Sequence, residues 1–165
     1  MKCFRTAPTL AAVIVLVFVT ACSKTPARKN PCDILSVSEA QSIGSGITQA
    51  KWIPGKKGEA KELCTYYDSN GEAQLMLFVF HDKSADPLMA IQTGMRDGAD
   101  RFVQVIGVGE AAAAGFSSGD DTLKVFLARS QAGMIGIRVH FPVREDEEKF
   151  NDVKRLAARA LGHLK

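Results

Sequence analysis

Thr122-Leu123-Lys124-Val125-Phe126-Leu127-Ala128-Arg129 and Met134-Ile135-Gly136-Ile137-Arg138-Val139-His140-Phe141 decide the fold of this 165-residue chain. Alternation puts Leu123, Val125 and Leu127 on one face of the first segment. It puts Ile135, Ile137, Val139 and Phe141 on one face of the second. Gln131-Ala132-Gly133 joins them, and Gly133 suits a left-handed turn position. A hairpin of this kind predicts an antiparallel sheet that buries apolar side chains against a second layer.

That second layer follows directly in the sequence. Residues 145–164 place Phe150, Val153, Leu156, Ala157, Ala160, Leu161 and Leu164 on one helical stripe. Glu145, Asp146, Glu147 and Glu148 crowd its start, and Lys154, Arg155, Arg159 and His163 its remainder, which complements the helix dipole. Upstream, Phe102 to Ile106 reads as a strand, followed by the punctuating Gly107-Val108-Gly109-Glu110. Ala111 to Phe116 pulls two ways. Consecutive alanines favour helix, whereas Gly115 and the flanking strands favour an extended edge piece, the reading adopted.

Asp86-Pro87 opens a helix to about Asp97 with Leu88, Ile91, Gln92 and Met95 on its stripe. Ala73 to Phe80 is apolar on both faces and reads as a central strand. Asp68-Ser69-Asn70-Gly71 is a hairpin turn, preceded by a short strand from Leu63 to Tyr67. Lys51 to Lys61, polar and glycine-containing, reads as a loop that carries Trp52, Lys56 and Lys57. Ser36 with Glu39 fits a capping box at the head of a short helix, with Ala40 and Ile43 on its stripe and Gly44-Ser45-Gly46 at its end. Helix, two strands, helix, several strands, helix gives α+β: a mostly antiparallel sheet with packed helices.

The first residues belong to none of this. Lys2 and Arg5 precede an apolar run from Ala7 to Val19, interrupted by Pro8 and Thr9. The run is short for a spanning helix and has the length and flanks of a signal peptide. It ends in Val19-Thr20-Ala21-Cys22, aliphatic, small, small, Cys, which resembles the lipobox of bacterial lipoproteins. The resemblance implies that Cys22 is alkylated by a diacylglyceryl group and becomes the acylated (palmitate-type) N-terminus after removal of 1–21. It also implies a lipid-anchored protein of the cell envelope. With Ser23 next, it points to the outer membrane facing the periplasm if the cell is diderm. Two or three acyl chains hold a protein where one holds it only marginally, since each buried CH₂ contributes about 0.8 kcal/mol.

Residues 22–31 then form a lipidated tether, rich in polar residues and proline, and 32–165 a single domain. The formal charge of the whole chain is +3, and loss of Lys2 and Arg5 with the leader leaves +1. A nearly neutral body offers no electrostatic case for nucleic acid. Cys3 leaves with the leader and Cys22 takes the lipid, so Cys32 and Cys64 remain. An even pair in an exported chain reads as a disulfide, against two free thiols or half a metal site.

Pro31-Cys32-Asp33-Ile34-Leu35, Glu39-Ala40, Cys64-Thr65-Tyr66, Gly107-Val108-Gly109-Glu110-Ala111 and the terminal helix occur in an order that resembles small bacterial lipoprotein and receptor-kinase sensor domains. The fold that this implies is a PsbP/Mog1-like α/β/α sandwich, with Cys32 and Cys64 paired across the first helix and first strand. The acidic residue often found after Gly-Val-Gly-Glu is here Ala111. The class is largely without assigned chemistry.

No catalytic set emerges. His81-Asp82 is a His–acid neighbour pair, but no Gly-x-Ser-x-Gly elbow accompanies it. His140 lies beside Arg138 on one strand face, and His163 falls in a last helical turn. Ser117-Ser118-Gly119-Asp120-Asp121 is a turn without the alternating acidic spacing of a calcium loop, and Gly107-x-Gly109 lacks the third glycine of a phosphate loop. Trp52 with Lys56 and Lys57 is the candidate partner-binding group, suited to a membrane surface or an acidic partner. The expectation is a lipid-anchored, non-catalytic envelope protein that binds a protein or other envelope component and uses no cofactor or metal. The alternative is a small-molecule or signal-binding module. An envelope hydrolase using His81 or His140 ranks last.

Overall fold

A computed structural model describes residues 30–44, 46–55, 61–80, 84–93 and 98–164. Among them the elements run α1 (Pro31–Ile34), α2 (Val37–Ala40), β1 (Ile47–Ile53), β2 (Lys61–Asp68), β3 (Ala73–Phe80), α3 (Pro87–Thr93), β4 (Arg101–Val105), β5 (Ala111–Phe116), β6 (Leu123–Ser130), β7 (Gly133–Val139) and α4 (Glu148–His163). One sheet takes the order β1-β2-β3-β7-β6-β5-β4, and every neighbouring pair is antiparallel. The class is α+β.

Both sheet faces are covered, and strand alternation assigns the residues. In β6, Phe126 and Ala128 face the larger core with Ile135, Ile137 and Val139 of β7 and Leu75, Leu77 and Val79 of β3. The stripe of α4 closes this core with Phe150, Val153, Leu156, Ala157, Ala160 and Leu161. Each large apolar side chain so buried contributes about 1.5–3 kcal/mol. Phe150 adds edge-on ring contacts to Phe116 and Phe126, with centroids 5.4 and 6.0 Å away. The intervening Val125 and Leu127 face the other way, into a smaller core with Ala113, Met134 and Ile91 of α3, whereas Leu123, which sequence alternation puts on their face, lies in the larger core because the ladder shifts register between Gly115 and Phe116.

The N-terminal segment is clamped by polar contacts because its helices are too short to stand alone. The Asn30 side chain accepts from the Cys32 amide at 2.9 Å. Ser36 and Glu39 form the expected capping box at α2. The buried Tyr66 hydroxyl donates to the Leu35 carbonyl at 2.5 Å. His163 Nδ1 donates to the Ile34 carbonyl at 2.7 Å, which ties the end of α4 to α1. Cys32 and Cys64 form a disulfide with Cα atoms 5.2 Å apart.

Several expectations change. Lys51 to Lys61 is not one loop: Lys51, Trp52 and Ile53 complete β1, and Lys61 opens β2. As an edge strand over a short helical segment, β1 is mostly exposed, so it carries no apolar alternation. The disulfide therefore joins α1 to the second strand rather than the first. Ala111–Phe116 is extended, but it is an inner strand between β6 and β4 and not an edge. Its alanines suit the narrow space under both helical layers. The last helix begins at Glu148 rather than residue 145, because Glu145 is held by Arg101 and Glu147 is the extended N-cap. Gln92 is exposed, and residues 94–97, including Met95, lie outside the described residues.

Two glycines are needed where they stand. Gly115 brings the α3 layer onto the sheet: a Cβ there lies 2.8 Å from the Ala99 Cβ and 3.1 Å from Ile91 Cγ2. Gly109, with φ +62°, lets the β4–β5 connection fold back, and a Cβ there falls 2.3 Å from the Arg129 carbonyl oxygen. Gly109→Ala is expected to cost about 2 kcal/mol or more of unfolding free energy, from a left-handed backbone plus a clash with main chain. Gly119→Ala, whose Cβ meets nothing nearer than Ser117 Oγ at 3.7 Å, is expected to stay within about 0.5 kcal/mol. Urea titration of both variants checks this, and equal midpoints would contradict it.

Candidate functional site

A polar concavity opens at the end of the β6–β7 hairpin remote from its turn, at the start of β6 and the end of β7. A bulge lies in its lining. Gly115 pairs with Val125 but Phe116 with Leu123, so Lys124 is an extra residue in β6. Its ammonium lies 2.9 Å from Thr122 Oγ1 and 3.5 Å from Asp120 Oδ2. Arg138 and His140 follow on β7 and just beyond it, two residues apart and hence on one face. The cleft encloses about 490 Å³, with Val139, Phe141 and Pro142 as its apolar wall.

The charges are fixed by their neighbours. The Thr122 and Ser117 hydroxyls hold the Asp120 carboxyl well below its ordinary range, so it stays ionised beside Lys124. Arg138 is half-buried, with its guanidinium 5.4 Å from the Phe78 ring centroid, and burial pulls its pKa down from the usual value. It remains a cation at neutral pH because a guanidinium starts so far above it. The cleft is thus lined by Lys124, Arg138 and His140 together with Asp120, whose carboxylate is already engaged with Thr122 and Lys124. That arrangement suits binding an anionic group.

The remaining candidates disperse. Asp121 pairs with Arg101 at 2.5 Å, away from Asp120's partners. Asp68 caps its own hairpin, accepting from the Asn70 and Glu72 amides and Gln74 Nε2, each at 2.9 Å. Gly107 and Gly109 lead into β5 and not into a helix N-terminus. His163 is spent on the Ile34 carbonyl. Among the described residues no three His, Cys, Asp or Glu gather as metal ligands, and no helix is long and apolar enough to cross a membrane. Cys22, Lys56, Lys57, His81 and Asp82 lie outside the described residues.

Trp52 stands directly opposite Cys64 in the β1–β2 register. Trp52 therefore shares a face with Cys64, one strand spacing from the Cys32–Cys64 bridge, a neighbour relation invisible while 51–61 reads as a loop. The cleft was half legible, since Arg138 and His140 share a face in sequence. Lys124 was not, because a bulge leaves no periodic trace.

No protein-family model, no curated protein and no solved structure matches this chain.

Reduction tests both features of the bridge. Opening a loop that spans 32 residues of separation is expected to remove roughly 3–4 kcal/mol by the chain-entropy estimate and to lower the melting temperature. A disulfide beside an indole quenches its emission by electron transfer, and directly opposed Cβ atoms lie about 4.5–5.5 Å apart. Emission of Trp52, the only tryptophan, is therefore expected to rise on mild reduction before global unfolding. Unchanged emission and unchanged melting would contradict this placement.

Proposed function

We propose that the chain is a precursor of a lipid-anchored cell-envelope protein whose body is non-catalytic and binds an envelope component, foremost another protein. The observation that carries this reading is Val19-Thr20-Ala21-Cys22 at the end of a cationic and then apolar leader. The Cys32–Cys64 disulfide supports it, because such bonds persist in oxidising compartments and not in a reducing cytosol. Helices on both faces of one antiparallel sheet support assigning the body to the PsbP/Mog1-like α/β/α sandwich. Acylation at Cys22, followed by Ser23, favours the outer membrane facing the periplasm in a diderm cell. The cationic cleft is the proposed contact for an acidic segment of the partner.

A second reading has its own support. The cleft volume of about 490 Å³ lies in the range of small-molecule sites, and its apolar wall with a few polar groups is the usual composition. A small organic anion acting as a signal fits it as well as a peptide carboxylate does.

Cys22→Ser is expected to move the protein from the membrane fraction to the soluble fraction of the cell. Retention in the membrane would mean that the leader stays as a hydrophobic anchor. Arg138→Glu is expected to reduce specific crosslinks to envelope proteins in intact cells. If crosslinks persist at full yield, the cleft is not the contact. If a small anion raises the melting temperature of the wild type but not of Arg138→Glu, the second reading prevails.

A further inference from the structure

We infer that the outer edge of the sheet, at Lys51, Trp52, Ile53 and Lys61, rests on the headgroup zone of an anionic bilayer surface. This deepens the anchored reading above and rests on it for the identity of the membrane, not for the contact itself. Trp52 is 39 % and Ile53 41 % exposed, two large apolar residues in succession on an edge strand. The β1–β2 register sets their directions. Trp52 lies on the face of Cys64, whereas Ile53 lies opposite Leu63 on the other face. The two side chains therefore straddle the strand, so the sheet meets a flat surface edge-on and both reach it.

Charge complements the apolar wedge. Lys51 and Lys61 are exposed and share Ile53's face, since Lys51 and Ile53 are two apart on β1 and Lys61 is two before Leu63 on β2. β1 contains no carboxylate, and Glu62 at the opening of β2 is only 2 % exposed. A tryptophan on one face with exposed lysines on the other is a composition that settles at the headgroup level, with the ring partly in the apolar zone and the cations on lipid phosphates.

The path of the chain brings this edge to the membrane. The Cys32 and Cys64 Cα atoms are 5.2 Å apart, and Cys64 faces Trp52 across one strand spacing. The N-terminal segment thus leaves the body roughly 10 Å from Trp52, adding a strand spacing of about 4.8 Å. Eight residue-to-residue steps lead from Asn30 back to Cys22, a reach of at most about 29 Å at roughly 3.6 Å per step. A lipid on Cys22 is therefore attached beside this edge and not beside the β4 edge six strands away. Burial of Trp52 and Ile53 in the interface also covers the free strand edge, which otherwise invites pairing with another chain.

The test uses the chain from position 22 to 165 with Cys22→Ser, so no acyl group contributes and a failure of lipidation in the cell leaves the outcome intact. Vesicles of 30 % phosphatidylglycerol in phosphatidylcholine are expected to shift Trp52 emission to the blue and to co-sediment the protein. Pure phosphatidylcholine is expected to do so much less, and high salt to reverse the binding. The double variant Lys51→Glu/Lys61→Glu is expected to lower partitioning roughly tenfold or more, given what one surface lysine contributes at an anionic membrane. Lys149→Glu/Arg155→Glu, the same charge change on the exposed side of α4, is expected to leave the blue shift in place, with circular dichroism checking the fold of both variants. Absence of a blue shift with anionic vesicles overturns the inference. Equal loss in both double variants overturns it too, because binding would then follow net charge and not this edge. A blue shift produced by an acidic protein but not by vesicles assigns the edge to a protein partner and overturns it likewise.

Discussion

The covalent bond between Cys32 and Cys64 holds the opening segment to the sheet, and the arrangement of the N-terminal half depends on it. α1 and α2 are single turns of four residues each, far below the length at which a helix persists unaided. Pinned to β2, they gain a capping box at Ser36, the hydroxyl of Tyr66 on the Leu35 carbonyl, and His163 on the Ile34 carbonyl. Each is a modest interaction, on the order of 1 kcal/mol net. Together they connect the beginning of the body, an inner strand and the final helix at one corner. That corner also fixes where the preceding chain leaves and which sheet edge lies beside it.

The opposite half is held by packing and by one shared cation. Phe150 of α4 meets Phe116 and Phe126, so the helix is seated on β5 and β6 by ring contacts. The alanines of β5 and Gly115 keep that strand thin, which lets both helical layers approach. Arg101 stacks over Phe116 at 4.6 Å and bonds Asp121 at 2.5 Å and Glu145 at 2.6 Å, and these carboxylates hold its pKa above the usual value. The Asp121 turn defines the β5–β6 connection and hence the rim of the cleft. Because Arg101 is partly exposed, its ion pairs orient the loop more than they stabilise the fold.

Sequence patterns revealed elements whose two sides differ, or whose both sides are buried. The β6–β7 hairpin, the apolar β3 and the stripe of α4 all announce themselves through periods of 2 or 3.6. The Ser36–Glu39 box and the Asp68–Gly71 turn were legible because their side chains bond their own backbone. β1 was not, since an edge strand whose residues mostly face water has nothing to alternate. The inner position of β5 was hidden because alanine gives no burial signal of its own. The Cys32–Cys64 pair was accessible to arithmetic, whereas its neighbour Trp52 required the register. Lys124 of the cleft sits at a bulge, and a one-residue insertion in a ladder is a tertiary event without a local motif.

Anchor, tether and edge form one proposal in which chemistry at a single cysteine decides the protein's address. Intact-mass and peptide mass spectrometry of the native protein, extracted from the cells that make it, tests that claim most directly. The account predicts an N-terminus at residue 22, carrying a diacylglyceryl thioether on Cys22 and lacking residues 1–21. A free thiol at position 22 with the leader still attached would contradict it.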